Sequence, residues 1–289
     1  MRKKSDIIST IVFVCIFLVG LSVMLYPTFS NWWNKNIVSH TVASYKEKVA
    51  QMDDGEAERL MNEAHEYNEK LAKLTAPFTN FDKLKGYDDI LNISGTGIMG
   101  FVSIPNINVE LPIYHGTSEG VLQIAAGHIQ GSSFPVGGAS THAVISGHRG
   151  LPSARLFTDL DQMVEGDTFT INILNEVLTY EVEKILIILP TESDKLAIIP
   201  NEDEVTLVTC TPYGVNSHRL LIRGRRIASV YDKKIKVGAD ALQVDEMKVI
   251  PIVFVPLLLL LMIWWKITGR RKKHIRIDKY TIKDLPKMP

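Results

Sequence analysis

Cys210, His148 and Arg219 are the residues of this chain whose types and surroundings could do covalent chemistry. Cys210 ends the strand-like run Val205-Thr206-Leu207-Val208-Thr209-Cys210. A cysteine is a useful nucleophile as the thiolate, and a nearby imidazole or guanidinium favours that form. A thiolate that attacks a carbonyl, an imidazole that moves the proton and a cation that stabilises the oxyanion form the parts of a cysteine acyltransferase. His148 lies in Ser146-Gly147-His148-Arg149-Gly150, where the glycines let the backbone approach other groups closely. Arg219 opens the next strand-like run. A hairpin through Pro212-Tyr213-Gly214 can therefore turn its side chain to the same face as Cys210. Each residue also has a plainer reading: an inert buried cysteine, a structural histidine at a strand end, a surface arginine paired with a carboxylate. His115, His128, His142 and His218 read as structural, and Arg223, Arg225 and Arg226 as surface residues.

The elements that must carry these residues start at a membrane. The chain has 289 residues, 46% of them hydrophobic, and a formal net charge of zero. Ile7 to Tyr26 is an uncharged apolar run behind Arg2, Lys3 and Lys4. At about 1.5 Å per residue it spans a hydrocarbon core of about 30 Å, and it reads as an uncleaved signal anchor rather than a cleaved peptide. A second run, Val249 to Trp265, is closed by Trp264-Trp265 and followed by Arg270, Arg271, Lys272, Lys273 and Arg276. The basic flanks place both termini in the cytoplasm and the segment between the spans outside the membrane. The division expected is a cytoplasmic N-terminus and anchor over 1–28, a helical spacer over 29–94 and a β-rich domain over 95–230. A linker over 231–248, a membrane helix over 249–266 and a basic tail over 267–289 follow. Cys15 lies in the first span, so Cys210 has no intramolecular disulfide partner outside, an odd state for an exported thiol without chemistry to do.

Between Asn34 and Leu74 apolar residues recur at helical spacing: Val42, Tyr45, Val49 and Met52, then Leu60, Ala64, Tyr67, Leu71 and Leu74. Asp53-Asp54-Gly55 divides the stretch into two helices, read as a spacer and platform. Short β-type runs follow at Met99–Ile104, Val109–Tyr114, His142–Ser146, Thr168–Leu174, Leu178–Leu189, Val205–Thr209 and Arg219–Ile227. Strands of this length with turn signals between them predict a closed barrel or a sandwich. Leu151 to Leu160 could hold a short helix. Glu202, Asp203 and Glu204 read as a solvated turn rather than an ion site. There is no CxxC, no HExxH and no phosphate loop, so neither a metal nor another cofactor is expected. Basic residues do not cluster with aromatics, which leaves nucleic-acid binding without support.

Thr206-Leu207-Val208-Thr209-Cys210 with Asn216-Ser217-His218-Arg219-Leu220, and the stretch Thr141 to Gly150, resemble the cysteine and histidine segments of the sortases. The resemblance covers about Gly95 to Arg226. Leu111-Pro112-Ile113-Tyr114-His115-Gly116 and Pro135-Val136-Gly137-Gly138 are similar to the pilin-polymerising class C subgroup, which typically has a second, C-terminal span. It implies a mainly β fold: an eight-stranded sortase-type β-barrel with N-terminal helices and two transmembrane helices. It implies His148, Cys210 and Arg219 as the catalytic set. The implied reaction is a transpeptidation that cleaves an LPXTG-type sorting signal through a thioacyl-enzyme and joins pilin subunits by isopeptide bonds. The implied partners are pilins or surface proteins with that signal, together with the membrane, on a Gram-positive type surface. Class C enzymes carry a lid with an Asp-Pro-aromatic motif. Here the counterpart is Ala76-Pro77-Phe78, with Pro77 and Phe78 as lid residues and the carboxylate missing. A housekeeping sortase that anchors proteins to a cell-wall precursor, and a non-catalytic membrane-anchored scaffold, are the alternatives.

Overall fold

The computed structural model describes residues 2–93 and 95–228. Helix α1 (Arg2–Ala50) takes up the whole first apolar run. From Val12 onward it has a mean hydropathy of 2.3 in its most apolar window, with 0% of that window buried. One helix thus joins the apolar run to the first half of the expected spacer, with no break near residue 28. Helix α2 (Asp54–Ala72) begins where Asp53-Asp54-Gly55 predicts a break, with Asp54 and Glu56 in its first turn, where the helix dipole favours negative charge. The second expected span, Val249–Trp265, lies outside the described residues.

Eight strands close into a barrel in the order β1-β2-β3-β4-β7-β8-β6-β5. They are β1 (Ile98–Ile104), β2 (Val109–His115), β3 (Ala126–His128), β4 (Thr141–Ser146), β5 (Thr168–Ile173), β6 (Glu176–Ile188), β7 (Asp203–Thr211) and β8 (His218–Ile227). Closure comes from antiparallel pairing of β1 with β5, Phe101 opposite Asn172 and Ser103 opposite Thr170. Two pairs are parallel, β2 with β3 and β4 with β7. The sequence pattern misses only β3, whose three residues are too few to show an alternation.

Alternation along the strands fills the interior with Val102, Ile113, Ala143, Ile145, Phe169, Ile171, Tyr180, Leu207 and Ile222. The same core continues onto the helices. Val42, Tyr45 and Val49 of α1, and Leu60, Ala64, Tyr67 and Leu71 of α2, are the buried members of the two predicted stripes. Beyond a spacer, then, the helices are part of the packed unit. Tyr45 donates its hydroxyl to Met99 O at 3.0 Å and accepts from Leu174 N at 2.9 Å. On α2, Asn68 grips the backbone of Phe134 from both sides, donating to its carbonyl at 3.0 Å and accepting from its amide at 2.7 Å. A buried amide satisfied at both ends fixes register as well as contact.

Candidate active site

Three adjacent strands, β4, β7 and β8, bring the candidate residues together on the outer face of the barrel. Ala143 and Ile145, Val205 and Leu207, and Leu220 and Ile222 point into the core, so the alternate positions of each strand face outward. Cys210 and Arg219 stand directly opposite each other in the β7–β8 ladder, on one face as the hairpin reading expects. In the parallel β4–β7 ladder Ser146 pairs with Val208. Gly147 N donates to Val208 O at 3.0 Å and Thr209 Oγ1 donates to Gly147 O at 2.8 Å, which carries the pairing past the end of β4. Continuing that register sets His148 beside Cys210. Cys210 is a free, half-buried thiol.

Two contacts dress this end. His148 Nε2 lies 3.7 Å from Glu119 Oε2, on the short helix α3 (Glu119–Leu122), with the carboxylate mostly exposed. Arg219 Nη1 donates to Asn216 O at 3.1 Å and to His218 O at 3.0 Å, which braces the guanidinium against its own loop. Glu119 carried no sequence signal, being separated from His148 by two strands and their loops.

Below the reactive residues the same outer face is apolar and then polar. Val144, Val208 and Leu221 form a cluster with Ile188, distinct from the barrel core. One layer further down lie His142 of β4, Glu204 and Thr206 of β7, and Arg223 of β8, all buried. His142 Nδ1 donates to Ala197 O at 3.0 Å, and its Nε2 accepts from Thr206 Oγ1 at 2.7 Å. This pattern is that of a neutral imidazole, and burial accordingly lowers the His142 pKa to about 4. The 3.7 Å approach of Glu204 to His142 is thus not an ion pair. Arg223 reaches both Glu204, at 3.7 Å, and the carbonyl of Lys195. Through Lys195 and Ala197 the cluster holds the β6–β7 loop against the barrel, and that loop adds Leu196 to the apolar layer above.

This arrangement corrects two sequence readings. Glu204 is buried within β7 and Asp203 accepts from Tyr180 Oη at 3.0 Å and Gly138 N at 2.9 Å, so neither belongs to a solvated turn. Burial raises the pKa of both carboxyls. Nor are Arg223 and Arg226 surface charges, since Arg226 lies over the Tyr180 ring at 5.6 Å. Arg225, paired with Glu202 at 2.5 Å, is exposed as expected. The cause is tertiary: the β6–β7 loop covers strand positions that the sequence shows only as polar. His128 is likewise structural, buried between Tyr87 Oη at 2.9 Å and Ser133 O at 2.8 Å. No cluster of three His, Cys, Asp or Glu side chains able to hold a metal occurs among the described residues.

Residues Ala76 to Phe78 approach the apolar layer. Pro77–Asn80 is a single helical turn, entered from Ala76 at φ 50°, a left-handed conformation that costs an alanine about 1–2 kcal/mol. Phe78 packs against the Val144, Val208, Leu221 and Ile188 cluster. Gly131, at φ +94°, allows this. A Cβ there would stand 2.9 Å from both Phe78 Cα and Pro77 O. Phe78 therefore rests one strand step from Cys210 and Arg219.

The loop after His148 is held rather than helical, contrary to the reading of Leu151 to Leu160 as a helix. It contains turns, a bridge between Leu151 and Ala154, and a 3-10 turn at Leu160–Gln162. Phe157 N donates back to His148 O at 3.1 Å. Arg149 pairs with Asp161 and lies 5.8 Å over the Tyr213 ring, linking this loop to the β7–β8 loop.

A sortase domain matches over residues 102–227, the stretch that holds the last three residues of β1 and all of β2 to β8. Sortase C1 from Streptococcus agalactiae is 47% identical and superposes with a TM-score of 0.61, covering 65% of this chain and 98% of that one. The chain belongs to the sortase family. Sortase C from Streptococcus pneumoniae is 42% identical with a TM-score of 0.59, over 65% of this chain and 97% of its own. Sortase D of Bacillus subtilis is 30% identical over 131 residues, 44% of this chain. The chain spans 47–63% of the length of the curated sortases it matches. Sortases are cysteine transpeptidases, so the outer face of β4, β7 and β8 is the candidate site of an enzyme of this kind.

Proposed function

We propose that this sortase is a membrane-anchored transpeptidase of class C type that joins pilin subunits. The opposition of Cys210 and Arg219 in one ladder, with His148 set beside them by the neighbouring one, carries this reading. The Cys210 thiolate adds to the carbonyl of the Thr–Gly bond of an LPXTG-type signal, and Arg219 donates to the oxyanion. The C–N bond breaks as His148 gives a proton to the departing glycine amine, leaving a thioester on Cys210. A second amine, a pilin lysine, adds to that thioester, loses its proton to His148 and expels the thiolate as the isopeptide bond forms. The class C relatives support the pilin assignment, and the structure of the Streptococcus pneumoniae enzyme is described as bearing on pilin substrate specificity. Helix α1 serves as the anchor, and with the apolar run Val249–Trp265 as a second span the barrel lies outside the membrane and both termini in the cytoplasm.

Phe78 acts in this reading as the aromatic of a lid, with Pro77 turning the chain onto the groove. An incoming sorting signal has to displace it. The test is incubation of the full chain with an LPXTG-type pilin and a lysine-bearing acceptor pilin. Wild type forms a product resistant to denaturation, with an isopeptide bond found by mass spectrometry. Cys210→Ala forms none while keeping its circular dichroism spectrum. Undiminished cross-linking by Cys210→Ala would remove the transpeptidase reading and leave the scaffold alternative.

A further inference from the structure

Asn31 and Asn34 stand three residues apart, on one face of α1. Both reach across to the loop that follows His148. Asn34 Nδ2 donates to Ser153 O at 2.7 Å, and Arg155 N donates to Asn31 Oδ1 at 3.0 Å. Phe29, Trp32 and Trp33 interleave with these asparagines and stay exposed, as a ring cluster with centroids 5.9 to 6.5 Å apart. Aromatic residues at the outer end of an apolar span settle at headgroup level, one edge wet and the body apolar. The tip of the His148 loop is therefore clasped to the helix at the depth of the membrane interface.

That loop transmits position to the site. It leaves from His148 and returns to it through the Phe157 N to His148 O bond, with Ala154, Leu156 and Phe157 buried beneath it. A second attachment, Tyr45 to Met99 and Leu174, lies eleven residues further along α1, about 16 Å at the helical rise. Two attachments at that separation on one helix stop the barrel from tilting or turning on its anchor.

We propose that Asn31 and Asn34 are positioning residues that seat the His148–Cys210–Arg219 end of the barrel on the membrane surface. The site then meets peptide segments lying next to the bilayer, those of proteins held in the same membrane, in preference to freely diffusing ones. The inference rests on the transpeptidase reading and on α1 as a span, and it adds the residues that set the height of the site. Confinement of both partners to one surface raises effective concentration when the geometry permits engagement and is lost when it does not.

The experiment uses the full chain in phosphatidylcholine–phosphatidylglycerol vesicles. In a Cys15→Ala background Cys210 is the sole thiol, and a dye attached there reports energy transfer to a headgroup-labelled lipid. Transfer is expected to be strong with Asn31 and Asn34 present and to drop in Asn31→Ala/Asn34→Ala. Asn31→Asp keeps the acceptor for Arg155 N and should retain it. Equal transfer in the double variant overturns the proposal, whatever the activity. Turnover of an LPXTG-type peptide joined to a membrane-spanning helix should fall about tenfold in the double variant, while the same peptide free in solution is turned over as before. An equal loss on both peptides also overturns the proposal, since it would mark a structural effect on His148. Failure of the transpeptidase reading shows separately, as activity in Cys210→Ala with the energy-transfer difference intact.

Discussion

Arg219 does two things that a lysine cannot do together. Its Nη1 is committed to Asn216 O and His218 O, and in the proposed reaction the remaining donors of the planar fork meet the oxyanion at Cys210, which stands opposite in the ladder. An ammonium is a single point of charge that must choose between bracing the loop and meeting an oxyanion. Arg219→Lys should therefore lower kcat by about a hundredfold or more with little change in KM, the range set by loss of an oxyanion donor. Steady-state rates with a soluble sorting peptide test this, and near-normal turnover would take Arg219 out of the proposed catalytic set. Glu119 is the opposite case. Its 3.7 Å contact with His148 is exposed, and such pairs contribute about 1 kcal/mol or less. Glu119→Gln should cost no more than about fivefold in kcat/KM, an effect that shrinks further at high salt. A loss of two or more orders of magnitude would instead mark Glu119 as part of the machinery.

At the scale of elements, the turn from Ala76 to Asn80 is poised between two demands. Phe78 gains by resting on Val144, Val208, Leu221 and Ile188, a contribution of about 1.5–3 kcal/mol at full burial and less for this half-buried ring. Ala76 opposes it, because an alanine in the left-handed region is strained. The two terms are of similar size, so the turn should leave its seat readily. Phe78→Ala removes the favourable term and should speed alkylation of Cys210. Ala76→Asp substitutes a residue that tolerates the left-handed region better and should slow it. Alkylation rates, followed by mass in a Cys15→Ala background, decide the matter. If neither substitution moves the rate, Phe78 does not govern access to Cys210.

For the molecule as a whole, the buried polar residues tie stability to pH. Burial lowers the pKa of both His128 and His142 to about 4, below the ordinary value of 6.5. Between these values the unfolded chain binds more protons than the folded one, so stability is lost as pH falls from 6.5 toward 4. Each imidazole contributes a slope of at most about 1.4 kcal/mol per pH unit. Asp203 and Glu204, raised by burial, act in the other sense and subtract from that slope. Urea denaturation of the detergent-solubilised chain should show a falling midpoint across this window, flattened in His128→Gln relative to wild type. The same pH profile in His128→Gln and in wild type would mean that His128 is not buried neutral.

Local chemistry made much of this protein legible in its sequence. The helical stripes of Val42 to Met52 and Leu60 to Leu74, the alternation of seven strands and the segments around His148, Cys210 and Arg219 all depend on neighbours a few residues away. The pairing of Cys210 with Arg219 follows from the length of one hairpin. Tertiary structure decided what long-range contact controls. Strand β3 exists because the edges of β2 and β4 hold three residues between them. Glu204 and Arg223 are buried because a loop folds over them, a fact that no property of a charged side chain announces. Leu151 to Leu160 is a turned loop rather than a helix because Phe157 returns to His148 and Asn31 and Asn34 hold its tip. Two side chains more than a hundred residues upstream fix that loop, and only the folded chain brings them within hydrogen-bonding distance.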